Sequence, residues 1–93
     1  MPDIFEKEMA ITHRDFVRLL TRALGHDMFV LEDGKILVEG ETRSLEIRLS
    51  KQTERRIASL TFPVTFVRFE FSGYKDAAKE MARIDLHFQR GGG

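Results

Sequence analysis

The dipeptide Asp33-Gly34 lies between two apolar runs, "MFVLE" and "KILVE". Two residues that tolerate positive φ, placed between strand-forming segments, specify a tight hairpin of type I′. That turn pairs Glu32 with Lys35 and Leu31 with Ile36. It places Phe29, Leu31, Ile36 and Val38 on one face. A second turn at Gly40-Glu41 leads into "TRSLEIRLS", where Leu45, Ile47 and Leu49 alternate with Ser44, Glu46 and Arg48. Read as a two-residue loop, it sets Ile36 opposite Leu45 and Lys35 opposite Glu46. The two registers agree on a three-stranded antiparallel meander.

A helix precedes the meander. Thr12 is a candidate N-cap, and Asp15 three residues on completes a capping-box arrangement, with Ile11 and Phe16 as its staple. Phe16, Val17, Leu19, Leu20, Ala23 and Leu24 recur at helical spacing. Gly25 supplies the stop, so the helix spans residues 13–24. Residues 1–10 are weakly patterned and read as an arm or a short edge strand.

After the meander, residues 50–59 are polar and basic. They read as a loop with a helical turn, or as a strand beginning near Arg56. Residues 65–71 are rich in β-branched and aromatic side chains and read as a strand with Val67, Phe69 and Phe71 on one face. Pro63 marks a strand start or an edge. The last segment is ambiguous. Residues 82–89 alternate like a strand, yet no Gly, Pro, Asn or Ser lies in 74–90 to separate them from the helix-forming "YKDAAKEMA". One helix over roughly 74–90, with Gly91 as its C-cap, is the expectation. Its stripe is Tyr74, Ala77, Ala78, Met81, Ile84 and Phe88.

These elements predict one α+β domain over residues 1–93, in the order α-β-β-β-(β)-β-α. It has an antiparallel sheet of four to five strands, with an N-terminal and a C-terminal helix packed on one face. Residues 1–10 form an arm and residues 91–93 a flexible tail.

Composition narrows function. The chain of 93 residues has no cysteine, which excludes disulfides, thiolate catalysis and Cys-ligated metal centres. Met1 to Ala10 does not resemble a signal peptide, and no apolar run could span a bilayer. A cytoplasmic protein with no membrane partner is expected. His13, His26 and His87 lack metal-pair spacing, so no metal or cofactor is expected. No nucleophile elbow, phosphate-cradling loop or other catalytic constellation is present, so no enzyme is expected.

Fifteen basic and fifteen acidic residues cancel, but they are segregated. Arg14, Arg18 and Arg22 make one ridge on the first helix. Arg43, Arg48, Lys51, Arg55 and Arg56 stand against Glu46 and Glu54, a local balance of +3. The first hairpin opposes them at −4, from Asp27, Glu32, Asp33, Glu39 and Glu41 against Lys35. These basic residues are the candidate surface for nucleic acid or for a protein partner. Asp85, on the apolar stripe of the last helix, is a candidate buried or interface carboxylate.

The segment "SGYKDAAKEMA" resembles the start of the second helix of double-stranded-RNA-binding domains in Gly73, Lys75 and Ala78-Lys79. Asp76 stands where that pattern has a second lysine, and the likeness covers about ten residues, so no membership is drawn from it.

The leading expectation is a non-enzymatic interaction module that self-associates, as a dimer. Its motive is the charge segregation together with Phe62, Phe66, Phe69 and Phe71 on a strand that helices on one side cannot fully cover. Nucleic-acid binding is the alternative. A carrier activated at its C-terminal glycine is the third.

Overall fold

A computed structural model describes residues 2–24 and 29–91, with backbone alone for residues 29–32 and 90–91. Its elements are β1 (Asp3–Met9), α1 (His13–Leu24), β2 (Phe29–Glu32), β3 (Lys35–Glu39), β4 (Ser44–Leu49), β5 (Thr53–Ile57), β6 (Leu60–Ser72) and α2 (Ala77–Gly91). The class is the expected α+β, with five antiparallel strands in the order β1-β6-β4-β3-β2 and two helices. The element order needs one correction. The chain enters on a strand: of the arm and the short edge strand offered for residues 1–10, residues 3–9 form the edge strand, against β6.

The local signals act as physics requires. Asp33 and Gly34 take φ of 48° and 76°, and the register pairs Leu31 with Ile36 and Glu32 with Lys35. Gly34 has a second duty, since a Cβ there would stand 2.8 Å from the Leu49 carbonyl oxygen. Helix α1 begins where Thr12 caps it. The Asp15 N–H donates to Thr12 Oγ1 at 3.1 Å, and the Phe16 N–H donates to the Thr12 carbonyl at 2.9 Å. The expected stop at Gly25 lies outside the described residues.

The β3–β4 connection differs from expectation. Residues 40–43 form a four-residue loop closed by Gly40 N–H donating to the Arg43 carbonyl at 2.8 Å. Ile36 therefore faces Ile47, and Val38 faces Leu45. The slip is two residues, so every side chain keeps its face. Lys35 and Glu46 become diagonal neighbours and still pair, at 3.4 Å.

The segment 83–89 is helical. Helix α2 starts at Ala77 rather than 74, because the Asp76 side chain caps it: Lys79 N–H donates to Asp76 Oδ1 at 3.1 Å. Ala77, Met81, Ile84 and Phe88 are buried, whereas Ala78 is exposed and Tyr74 is half-buried ahead of the helix. Gly91 is the last helical residue and not a cap beyond it.

Both helices cover one face of the sheet. Phe16 of α1 stacks on Phe88 of α2, with centroids 5.0 Å apart, and leans on Phe69 of β6 at 6.1 Å. Ile36, Leu45, Ile47, Val67 and Phe71 complete the core from the strands. Phe5 of β1 seals its edge, edge-on to Phe71 at 5.7 Å.

β6 is longer than the sheet needs. Its residues 65–71 pair with β1 and residues 67–72 with β4, while residues 60–64 pair only with β5. The β5–β6 hairpin forms an arm, and the molecule measures 47 Å along its longest axis against 26 and 25 Å. The arm turns at Ala58-Ser59, where Ala58 takes φ of 55° without a glycine. Alternation outward from the Ile57–Leu60 pair places Pro63 at a non-hydrogen-bonded position, so its missing N–H costs the β5 ladder nothing.

Candidate functional site

The face of the sheet turned away from the helices carries the residues that alternate with the core. Cross-strand register arranges them in rows. One row runs Glu6, Arg68, Arg48, Lys35. The next runs Ile4, Glu70, Glu46, Leu37. On the other side of the first row, Glu8 pairs with Phe66.

Like charges thus stand directly opposite at Arg48–Arg68 and at Glu46–Glu70, an arrangement that is destabilising if uncompensated. Compensation comes along the strands. Arg48 Nε donates to Glu46 Oε2 at 2.9 Å, Arg68 Nη1 lies 3.2 Å from Glu70 Oε1, and Lys35 adds a second cation to Glu46. The hydrogen bond from Arg48, with Lys35 assisting, holds the Glu46 carboxyl below its ordinary value of 4.5 against the opposing effect of burial. Among the described residues, Glu6 has no ion-pair partner.

This face also keeps apolar side chains in water. Phe66 is 53% exposed and Ile4 44%. At the far end of the arm, Ile57 and Leu60 pair across the hairpin and are 56% and 68% exposed. By alternation, Leu60, Phe62, Val64 and Phe66 share one side of β6. Val64 alone of these is buried. On that side Arg55 of β5 and Glu8 of β1, which flank Val64, form an ion pair across β6. An open groove of about 510 Å³ lies around Phe66, between Glu6 and Glu8 on one flank and Arg48 and Ser50 on the other.

A bulge joins body and arm. Ser50 N–H donates to the Phe66 carbonyl at 2.9 Å, and Phe66 N–H donates to the Ser50 hydroxyl, also at 2.9 Å. The side chain takes the place of a backbone acceptor. The released Ser50 carbonyl meets His13 Nε2 at 2.7 Å, and His13 N–H donates to Gln52 Oε1 at 3.0 Å. The start of α1 is thereby tied to the root of the arm.

The basic residues singled out in the sequence do not form one patch. Arg14, Arg18 and Arg22 are exposed on α1, in the helical layer, and Arg18 lies 3.7 Å from Asp15. Arg48 is on the opposite, uncovered face. Arg43 lies over the Tyr74 ring at 4.7 Å. Lys51 is at the bulge, and Arg55 and Arg56 are adjacent on β5, so they point to opposite sides of the arm. Asp85 is bound by Lys7 of β1, Nζ to Oδ2 at 2.6 Å, with both side chains about one-third exposed or less. It is a structural pair that ties the edge strand to α2.

Ile4, Glu6, Ile57, Leu60 and Arg68 of this face are not among the candidate site residues that the sequence offers. The alternation of Phe66, Arg68 and Glu70 with Val67, Phe69 and Phe71 was the available signal for the face. Among the described residues, no group of three His, Asp or Glu could hold a metal ion, and no helix is long and apolar enough to cross a membrane. No family model, curated protein or solved structure matches this chain.

Proposed function

We propose that the chain is a small, non-catalytic interaction module of the cytoplasm that self-associates through the uncovered face of its sheet. One observation carries this reading. Of the five large apolar side chains that are exposed among the described residues, Ile4, Ile57, Leu60 and Phe66 lie on the strands, on the side that the helices leave bare; the fifth, Leu86, is on α2. Exposed apolar groups gathered on one surface favour burial against a partner, whereas scattered ones need no explanation. Sedimentation equilibrium across micromolar concentrations tests it. The expected result is a mass that rises from one chain toward two, and a constant monomer mass removes the proposal.

Nucleic-acid binding is supported by a separate observation, the exposed ridge Arg14, Arg18 and Arg22 on α1. It predicts association with duplex RNA or DNA that weakens steeply as salt rises. The carrier reading is supported by less, because the chain reaches Gly91 as a helix and not as an extended tail.

A further inference from the structure

We infer that two copies pair face to face about a two-fold axis that runs along β6, with Phe66 meeting its own copy and Glu6 meeting Arg48 in both directions. The inference rests on the self-association proposed above and specifies its geometry. A two-fold interface uses the same patch twice, so the patch must complement itself. An axis along β6, lying between the two facing sheets, exchanges the flanks: β1 of one copy lies over β4 of the other.

The register makes that exchange favourable. Glu6, Arg68 and Arg48 stand in one cross-strand row, acid on the β1 flank and base on the β4 flank. Rotation about β6 keeps the row and swaps its ends, so Glu6 of each copy faces Arg48 of the other. The adjacent position on the axis is Phe66, and beyond the Arg55–Glu8 ion pair that crosses β6 at Val64, Phe62 and Leu60 stand on the same side. Arg68 and Glu70, both on the axis strand, are each brought toward their own copies, but they already meet one another at 3.2 Å within each chain. The alternative in-plane axis, perpendicular to β6 at Phe66, would bring Glu8, already held by Arg55, toward its own copy and leave Glu6 without a base. Complementary charge decides between the two.

Two other modes of association fit less well. Adding a strand to the free edge of β6 beyond β1 meets Pro63, which has no N–H to offer there. The outer edges of β1 and β5 carry Glu6, Lys7 and Glu8, and Glu54, Arg55 and Arg56, the charged composition that discourages edge pairing. A small molecule held in the groove at Phe66 would leave Leu60 in water, whereas the two-fold axis along β6 brings Leu60 toward its own copy.

The test is a charge exchange. Glu6→Lys and Arg48→Glu are surface changes, checked for native fold by circular dichroism. Each alone is expected to weaken self-association about tenfold or more. Mixed in equal amounts, the two variants regain both salt bridges in a mixed pair, so association near the wild-type level returns. Phe66→Asp is expected to abolish association in a folded chain. A mixture no tighter than either variant alone overturns the geometry, as does a Phe66→Asp chain that associates like wild type. In both cases self-association itself would stand, through another surface. A wild-type chain that stays monomeric overturns both proposals together.

Discussion

The two parts of β6 obey the same alternation and meet different ends. In residues 67–71 the strand has a neighbour on each side and two helices over one face, and Val67, Phe69 and Phe71 are sealed. In residues 60–64 it has one neighbour and no helix, and Leu60 is among the most exposed apolar side chains of the described residues. Nothing in the composition of "LTFPV" marks it as less apolar than "TFVRFEF". Alternation decides which side a residue takes. Leu60 falls on the side of Phe66, which the helices leave bare along the whole of β6, whereas Val67, Phe69 and Phe71 fall on the side that α1 and α2 cover.

That contrast can be broken most sharply by truncation. Phe69→Ala removes a buried ring that Phe16 packs against and should destabilise the fold by about 3–4 kcal/mol in urea unfolding. Leu60→Ser in the arm should change monomer stability by less than about 0.5 kcal/mol. Equal effects would mean that arm and body share a core. Next in size is the joint. Ser50→Ala removes the acceptor for Phe66 N–H and should cost about 1 kcal/mol, with faster amide exchange in residues 53–64 and little change in α2. Smallest is the charged lattice. Because its pairs hold Glu46 below its ordinary value, they add stability at pH above about 4.5 and lose it as pH falls through the lowered value. Glu46→Gln should flatten the acid limb of the unfolding curve slightly and leave neutral stability nearly unchanged.

How legible the molecule was in its sequence follows the range of the forces involved. Helix α1 and the Asp33-Gly34 turn are set by neighbours in sequence, through a cap, a period and two residues at positive φ. Both formed as expected. The Gly40 loop is two residues longer than the two-residue turn its sequence suggests, and the faces survive because a strand has a period of two. β5 was ambiguous because "TERRI" has no apolar alternation; it is a strand because β6 offers it a partner. Its turn was hidden as well, since Ala58 adopts a conformation usually left to glycine or asparagine. Asp85 seemed misplaced on an apolar stripe because its cation, Lys7, comes from the opposite end of the chain. The uncovered face needed the strand order, which no single segment encodes.

The β1–β6 pairing sets the timing of folding. Lys7 finds its register opposite Val67, and Phe5 opposite Phe69. During synthesis β1 therefore leaves the ribosome long before β6, the strand it pairs with, exists. Local elements such as α1 and the β2–β3 hairpin can form meanwhile, but closure of this long loop must come late, and contacts so distant in sequence slow folding. The segment "DIFEKEM" is suited to that wait. Four of its seven residues are charged, which keeps the unpaired strand dissolved until β6 arrives to take it up.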